Sequence, residues 1–277
     1  MTTGFRHKKH LGQNFLIDPR VPGAIAEAAE LALCDRVLEI GPGEGVLTRE
    51  LASRAGQVVA VEVDTRLASK LEALQAQFMN LRIVWADFLQ TSFPELGLEE
   101  DGCKVVANIP YYITTPILMK LLHADHLERH GIDAQQPRPE RILLMVQEEV
   151  ADRILAAPGS KDYGSLSIIC QYAAEVSRVL AVPRSAFKPR PQVDSAVIML
   201  RPRSTPPVDT PEPARFFKLV RAAFQQRRKT LLNALAAAGY EKPRLLEAME
   251  GVGIDPGRRG ETLSLGEFAQ LSRRLGA

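Results

Sequence analysis

The sequence is poor in several residue types, and each shortage narrows the class of protein. Among 277 residues there are three cysteines and one tryptophan, and aromatic residues make up only 6%. Because Cys34, Cys103 and Cys170 are odd in number, far apart and set in apolar stretches, they are expected to be reduced core residues. Neither a disulfide framework nor a structural zinc site is therefore expected.

The pattern of histidines does not predict a metal site. Three of the five histidines, His123, His126 and His130, have the spacing of one helix face. No cysteine or carboxylate set with ligand spacing accompanies them, so a solvated helix end is the simpler interpretation. We expect no metal.

Long apolar runs are also missing. No stretch approaches the roughly 18 apolar residues of a membrane span, and residues 1–12 are polar and basic, without the apolar centre of a signal peptide. We therefore expect a cytoplasmic protein that is neither secreted nor inserted in a membrane. With 45% hydrophobic residues, the chain is long enough for one sizeable α/β domain and a smaller second one.

Neither sign of charge dominates, because the formal net charge is only +2. The basic residues are nevertheless clustered, in a basic head at 6–10 and on a predicted helix near the other end of the chain. These clusters are expected to bind RNA phosphates if the fold brings them together, and solvated surface is an equally open alternative. The predicted RNA-binding residues in them are Lys8, Lys9, Arg221, Arg227, Arg228 and Lys229.

A βαβ pattern at residues 36–64 is the most informative stretch of the sequence. The loop between its first strand and its helix contains Gly41, Gly43 and Gly45, and its second strand carries Glu62 near its end. Glycines at such a turn let the backbone approach a ligand, and an acid at the next strand tip accepts hydrogen bonds from ribose hydroxyls. The pattern predicts a nucleoside site, with an unrelated glycine turn as the alternative.

Acidic residues around this loop distinguish between nucleoside ligands. A dinucleotide places its pyrophosphate at the helix N-terminus, where Glu39 and Glu44 would repel it. S-adenosylmethionine has no phosphate and a positive sulfonium, so it suits the loop better than NAD. A further predicted strand, 81–85, is followed by Asp87, which we expect to accept a hydrogen bond from the adenine amine. A loop or helix-cap acid is the alternative for Asp87.

Asn108, Pro110 and Tyr111 follow the next predicted strand, 104–107, and indicate the reaction. The exocyclic amine of adenine is a poor nucleophile because its lone pair is delocalised into the ring, so a methylating site must accept the amine hydrogens. The Asn108 side-chain oxygen and the Pro110 carbonyl are suitable acceptors, and Tyr111 offers a stacking face. An ordinary strand-to-turn connection is the alternative.

Phe187 lies in a basic, proline-rich turn, 183–191, between two late predicted strands. These strands are expected to finish a mostly parallel sheet as an antiparallel edge pair. We expect Phe187 to be exposed and to stack on the target base opposite Tyr111, with Lys188 and Arg190 binding phosphates. Packing of the ring under its own loop is the alternative.

The segment at residues 11–19 mixes amides with apolar residues, which is unusual for a solvated tail. We expect it to fold back over the glycine loop, with Asn14 donating to a carboxylate and Leu16 contacting an apolar part of the ligand. A helix-entry segment capped by Asp18 is the alternative.

The pattern changes after residue 203. Residues 204–213 are rich in proline and predict a linker, whereas 214–277 has helical periodicity with glycine turns. The expected organisation is a ligand-binding domain at 1–203 and a small helical RNA-recognition domain at 214–277.

In their order and spacing, these motifs resemble the ribosomal RNA adenine dimethylase family over nearly the whole chain. The resemblance is carried by segments 13–16, 39–45, 86–87, 108–111, 187–195 and 226–231, together with Glu62. It implies a Rossmann-like class I methyltransferase fold, with a mostly parallel seven-stranded sheet, an antiparallel edge strand and a small all-α C-terminal domain.

The resemblance also implies a cofactor, a substrate and a set of site residues. S-adenosylmethionine is expected to be bound by Asn14, Leu16, Gly41, Gly43, Glu62, Asp87 and Asn108. The target adenine is expected to be positioned by Asn108, Pro110, Tyr111 and Phe187. The implied substrate is a pair of adjacent adenosines in a hairpin near the 3′ end of small-subunit rRNA in an assembling (pre-30S) particle, modified by a monomer.

Two other functions remain open from the sequence. One is a resistance-type methylase that acts on large-subunit rRNA. The other is an RNA-binding assembly or transcription factor that keeps the fold without the activity. Intact Glu62, Asn108 and Tyr111 favour an active enzyme.

Overall fold

A computed structural model describes residues 14–133, 135 and 137–276. The chain divides into two compact units. The first contains the described residues up to Leu121 together with Pro137–Ala151 and Ser177–Arg201, and the second contains those between and after these ranges. Within the described ranges, no helix has the length and apolar character needed to cross a membrane.

The described residues form nine β-strands. In chain order they are β1 (Phe15–Leu16), β2 (Arg36–Ile40), β3 (Gln57–Glu62), β4 (Leu81–Trp85), β5 (Lys104–Asn108), β6 (Arg141–Gln147), β7 (Ala174–Val182), β8 (Phe187–Lys188) and β9 (Ser195–Pro202). Seven of them form one sheet in the order β4-β3-β2-β5-β6-β9-β7, and β1 and β8 form a separate antiparallel pair. Five adjacent strands, β4, β3, β2, β5 and β6, are parallel to one another, so the predicted mostly parallel sheet is confirmed.

The two late strands, β7 and β9, finish the sheet together at one end, as the sequence predicted. The antiparallel strand β9 is the inner strand of this pair. It lies between β6 and β7, with Ser195 opposite Gln147 and Leu200 opposite Ile142. Burial explains the position, because all residues of 195–200 are buried, whereas β7 has exposed residues along its length. An interior strand is covered on both faces, and an edge strand keeps polar and exposed positions.

The described residues also form eleven α-helices. They are α1 (Arg20–Ala28), α2 (Val46–Ala52), α3 (Ala68–Gln75), α4 (Thr114–Leu121), α5 (Ala124–His130), α6 (Glu148–Leu155), α7 (Ser165–Ala173), α8 (Pro213–Gln225), α9 (Leu231–Ala237), α10 (Lys242–Gly251) and α11 (Leu265–Gly276). In the first unit, α2 contacts β3 and α3 contacts β4. The central strands β2 and β3 are accordingly buried over nearly their whole length, as expected when helices cover a parallel sheet.

The second unit is organised around α8, which contacts α5, α7, α9 and α11. The rings of Phe216 and Phe217 on α8 pack against Tyr172 of α7, with centroids 5.6 and 5.1 Å from the tyrosine ring. Because α5 and α7 contact α8, 122–136 and 152–176, which the sequence placed in the first domain, belong to the compact unit of the C-terminal helices. The assignment of ligand binding to residues 1–203 and of RNA recognition to residues 214–277 remains a prediction.

The basic cluster 227–229 does not lie on a helix as the sequence suggested. Helix α8 ends at Gln225, and Arg227, Arg228 and Lys229 lie in the turn that follows. The backbone leaves the helical conformation at Gln226 (φ −127°, ψ 66°), and the Thr230 side chain then caps α9 by accepting a hydrogen bond from the backbone N–H of Asn233. A capping residue takes an extended backbone, so α8 cannot continue through this position.

The cysteine prediction is correct for two of the three residues. Cys103 and Cys170 are buried, but Cys34 is exposed, and all three are free thiols. Cys34 lies in the connection between α1 and β2, where the apolar neighbours that suggested burial belong to a surface loop. Burial raises the pKa of the Cys103 thiol to about 12, which makes this group unreactive.

Candidate active site

A cleft in the first unit lies at the carboxyl ends of β2, β3, β4 and β5. It contains about 1050 Å³ of empty space, a volume that includes open solvent. Ligands of open α/β sheets bind outside the carboxyl ends of the strands. The predicted site residues that line it are Asn14, Leu16, Gly41, Gly43, Glu62, Asp87, Asn108, Pro110 and Tyr111.

The glycine loop forms one wall of the cleft. Gly43 and Gly45 have φ angles of 58° and 82°, a conformation that side chains disfavour. A Cβ atom would lie 3.2 Å from the Phe15 ring at Gly43 and 2.7 Å from Leu74 Cδ2 at Gly45. The segment carrying Asn14 and Leu16 therefore lies over the loop, where β1 is held by its pairing with β8.

Glu62 is the buried acid at the tip of β3. Its Oε1 accepts hydrogen bonds from the backbone N–H groups of Val63 (3.0 Å) and Asp64 (2.9 Å), and its Oε2 accepts one from Gly43 (3.2 Å). Burial raises the pKa of Glu62, and the charge of Asp64 adds to this, while the three N–H donors oppose it. The carboxylate thus fixes the glycine loop against β3 and keeps one acceptor position on Oε2.

Glu39 is a second buried acid in the cleft wall, which the sequence placed beside the glycine loop without predicting that it would be buried. Its side chain is 1% exposed, and Oε2 has no hydrogen-bond partner among the described residues. Burial raises the pKa of Glu39 to about 8, which the nearby Thr48 hydroxyl opposes and the Glu62 charge reinforces. The sequence feature that could have predicted this burial is the position of the acid within the otherwise apolar run of β2.

Asp87 lies at the start of the turn that follows β4. Its Oδ1 accepts a hydrogen bond from the backbone N–H of Leu89 at 2.9 Å and caps the 3₁₀ turn Phe88–Gln90. Asp87 therefore does act as a cap, which was the alternative interpretation of this residue from the sequence. The residue is exposed and also lines the cleft, so both roles are compatible.

Asn108 and Pro110 provide two acceptors on the opposite wall. Asn108 is the last residue of β5 and is in register with Met145 of β6. Within the part of the chain that the structure describes, its side-chain amide makes no hydrogen bond and stays available to a ligand. The Pro110 carbonyl accepts one hydrogen bond, from the Ile113 N–H at 3.2 Å, and keeps its second lone pair.

Tyr111 is anchored by Ser195 at the start of β9. The two hydroxyl oxygens are 2.7 Å apart, and Ser195 is fully buried. Burial raises the pKa of Tyr111, and the Ser195 hydrogen bond opposes the change. The phenol therefore stays neutral, and its ring is held at the cleft as a flat face rather than as a base.

Tyr112 is a cleft residue that sequence reasoning missed. Its side chain is 53% exposed and lines the same cleft. Burial raises the pKa of Tyr112, and the charges of Asp87 and Glu62 add to the change. The ring therefore lies within electrostatic reach of both acids, and its position beside Tyr111 was the signal that should have suggested it.

The prediction that Phe187 is exposed is wrong. The side chain is 2% exposed, belongs to the hydrophobic core and is not among the residues that line the cleft. The cause is the pairing of β8 with β1, which sets Phe187 opposite Leu16 and places both side chains in one apolar cluster. The neighbouring Lys188 and Arg190 are exposed, as their predicted role requires.

The predicted RNA-binding residues of the second unit fall into two groups. Arg227 donates to the backbone carbonyls of Lys161 (2.6 Å) and Tyr163 (3.2 Å), and Arg221 forms an ion pair with Glu128. These two arginines therefore have internal partners. Two other cations, Arg228 and Lys229, are exposed, whereas Lys8 and Lys9 lie outside the described residues.

The histidines do not assemble a metal site in the described ranges. There, no group of three or more histidine, cysteine, aspartate or glutamate side chains is arranged to hold a metal ion. The rings of His126 and His130 contact each other on α5, with centroids 4.8 Å apart.

Comparisons with known proteins identify the family of the chain. The family model for ribosomal RNA adenine dimethylase matches residues 4–276. The chain is 50% identical to ribosomal RNA small subunit methyltransferase A of Moorella thermoacetica, over 98% of this chain and 93% of the relative. The protein of that name from Geobacillus thermodenitrificans is 48% identical, over 98% and 92%.

Solved structures show the same similarity at the level of the fold. The 23S rRNA methyltransferase ErmE superimposes with a TM-score of 0.71 at 32% identity, covering 95% of this chain and all of that one. A dimethyladenosine transferase from Plasmodium falciparum gives a TM-score of 0.73 at 29% identity, over 93% and 95% of the two chains. The predicted Rossmann-like methyltransferase fold is thereby confirmed. The chain belongs to the ribosomal RNA adenine dimethylase family and, with it, to the S-adenosylmethionine-dependent rRNA dimethyltransferases.

Proposed function

We propose that the protein dimethylates the exocyclic amines of two adjacent adenosines in a hairpin near the 3′ end of small-subunit rRNA, in an assembling subunit. One observation carries the proposal. A single cleft contains both a glycine loop with buried acids suited to a nucleoside and an Asn108 amide suited to a second adenine.

The residues of the cleft fit S-adenosylmethionine. The remaining acceptor position on Glu62 Oε2 suits a ribose hydroxyl, and the exposed Asp87 carboxylate suits the adenine amine. Buried Glu39 lies in the same cleft wall, and a ligand with a positive centre would favour its charged form, which burial and the Glu62 charge disfavour in the free protein. When bound, the cofactor supplies an electrophilic methyl group.

The reaction needs positioning more than a strong base. The Asn108 oxygen and the Pro110 carbonyl accept the hydrogens of the target amine, so that its lone pair is directed away from the adenine ring. The Tyr111 ring, anchored by Ser195, provides the stacking face. The amine proton becomes acidic only after methylation, so catalysis rests on orientation and on hydrogen-bond acceptance.

Phe187 enters this scheme only through the resemblance to the family. Stacking on the target base requires the ring to leave the core position opposite Leu16. Its role remains a prediction that depends on movement of the β1–β8 pair.

The small-subunit substrate is favoured by the relatives that carry this name. They are 47–50% identical over 98% of the chain, compared with 32% for the 23S rRNA methyltransferase ErmE. Large-subunit rRNA is nevertheless the second candidate substrate, because ErmE shares the fold over 95% of the chain.

The decisive experiment is transfer of labelled methyl groups to purified small subunits that lack the modification, beside naked rRNA and large subunits. We expect dimethyladenosine on small subunits, identified by nucleoside analysis. Label on large-subunit RNA would establish the second candidate. Tight RNA binding without label would support an assembly factor instead.

Replacing Glu62 tests the cofactor site. We expect Glu62→Ala to weaken binding of S-adenosylhomocysteine at least roughly tenfold, because it removes the ribose acceptor and leaves the three loop N–H groups without their partner. Isothermal titration calorimetry measures the change. Glu72→Ala, at an exposed position of α3, is the matched control, and an unchanged affinity in Glu62→Ala would remove the ribose role.

The exposed cations after α8 test the RNA interface. We expect the double variant Arg228→Gln, Lys229→Gln to weaken rRNA binding and to lower the slope of log affinity against log salt by about 1–2, since each phosphate contact contributes about one unit. Arg227 is left unchanged because it holds the Lys161–Tyr163 backbone. Lys242→Gln, at an exposed position of α10, is the control, and an unaltered slope in the double variant would assign the cluster to solvated surface.

A further inference from the structure

Lys120 on α4 holds the turn that follows β4. Its ammonium donates to three backbone carbonyls, those of Phe88 (2.6 Å), Leu89 (3.1 Å) and Thr91 (2.6 Å). It also lies 4.7 Å from the centroid of the Phe88 ring. An ammonium has three N–H donors, so one turn of backbone uses all of them.

The same turn carries Asp87. The Asp87 carboxylate accepts the Leu89 N–H at 2.9 Å, and the Asp87 carbonyl accepts the Thr91 hydroxyl at 2.8 Å. Lys120 and Asp87 therefore close the turn from its two sides. Both Asp87 and Leu89 line the cleft, so the conformation of this turn sets where the carboxylate faces.

Lys120 also lies close in sequence to Asn108 and Tyr111, the residues expected to bind the target adenine. Helix α4 begins at Thr114, directly after the segment with Asn108 and Tyr111. Lys120 itself is half-buried. Burial lowers the pKa of Lys120, which the charge of Asp87 opposes first among the neighbouring acids.

We propose that Lys120 is a positioning residue of the cofactor site, which holds the Asp87–Thr91 backbone so that the Asp87 carboxylate selects adenine. The inference rests on the proposed function, because it takes Asp87 as the acceptor for the adenine amine of the cofactor. A lysine with a merely structural role would alter stability or overall affinity and leave base selection unchanged.

The test compares binding of S-adenosylhomocysteine with that of S-inosylhomocysteine, in which a carbonyl oxygen replaces the adenine amine. We expect the wild-type protein to prefer the adenosyl ligand by about tenfold or more, because a site built to accept an N–H rejects an analogue without it. Lys120→Met keeps the apolar stem and removes the three donors, so the ratio of the two Kd values should fall towards one.

Conservative and control variants complete the experiment. Lys120→Arg retains N–H donors and should restore most of the preference. Lys218→Met, at an exposed position of α8, removes a lysine charge and should keep the wild-type ratio. Lys120→Gln is measured in parallel, so that poor folding of the methionine variant leaves the comparison intact.

The possible outcomes distinguish a failure of the role proposed for Lys120 from a failure of the proposed function. A wild-type ratio in Lys120→Met or Lys120→Gln, with or without equal losses of affinity for both ligands, overturns the role of Lys120 alone. A wild-type protein that binds both ligands equally removes the assigned role of Asp87, and the inference with it. Failure of the wild-type protein to bind either ligand contradicts the proposed cofactor.

Discussion

Asn108→Ala should lower the turnover of methyl transfer by roughly 10²–10³-fold, the effect of removing one preorganised hydrogen-bond partner from a transition state. The amide makes no other hydrogen bond within the described chain, so its removal leaves no other described group unpaired. The variant should therefore keep its stability. Single-turnover methyl transfer to unmodified small subunits measures the effect on chemistry.

Two comparisons decide whether this loss concerns the target amine. Asn233→Ala, at an exposed position of α9, controls for the loss of an asparagine elsewhere and should have wild-type turnover. The affinity of Asn108→Ala for S-adenosylhomocysteine should fall much less than its turnover. Near-normal methyl transfer would exclude Asn108 as the amine acceptor, and an equal loss of cofactor affinity would assign it to the cofactor instead.

Glu39→Gln should change how stability depends on pH. The folded-state pKa of Glu39, about 8, lies above its ordinary value of 4.5, so folding favours the protonated acid. The stability that this group contributes is complete below pH 4.5 and is lost as the pH rises to about 8. The wild-type protein should therefore lose stability over this range relative to Glu39→Gln, by on the order of 5 kcal/mol at the upper end.

Unfolding by denaturant at several pH values between 4.5 and 9, without cofactor, measures this difference. The two proteins should have similar stability at the acid end and diverge towards pH 8. Glu72→Gln, at an exposed position of α3, controls for the loss of one carboxylate. If the free energy of unfolding depends on pH in the same way in wild type and Glu39→Gln, the pKa of Glu39 is not raised by folding. The buried carboxyl would then be ionised over this range and hydrogen-bonded.

Much of the site could be predicted from the sequence because it is built from local signals. The glycines at 41, 43 and 45 mark a strand-to-helix turn, and the acids follow strands whose apolar runs are visible in the sequence. Parallel strands bring their carboxyl ends to one edge, so residues such as Glu62, Asp87 and Asn108 line one cleft although they are distant along the chain.

The sequence failed where contacts between distant segments decide burial. Phe187 stands among prolines and basic residues, which suggests exposure, yet pairing of β8 with β1 places it in the core. Arg227 lies in a basic run, yet the carbonyls of Lys161 and Tyr163 occupy its guanidinium. In each case the partner is far away in the chain and leaves no trace in the local pattern.

The sequence by itself therefore determined the order of the strands along the chain, the glycine loop and the types of residue that meet the ligands. Only the tertiary structure decided that β9 lies inside the sheet, that Glu39 is an orphan acid, and that Lys120 supports Asp87. The physical reason is that periodicity and turn chemistry act over a few residues. Burial, pKa and hydrogen-bond satisfaction depend on neighbours that only the folded chain brings together.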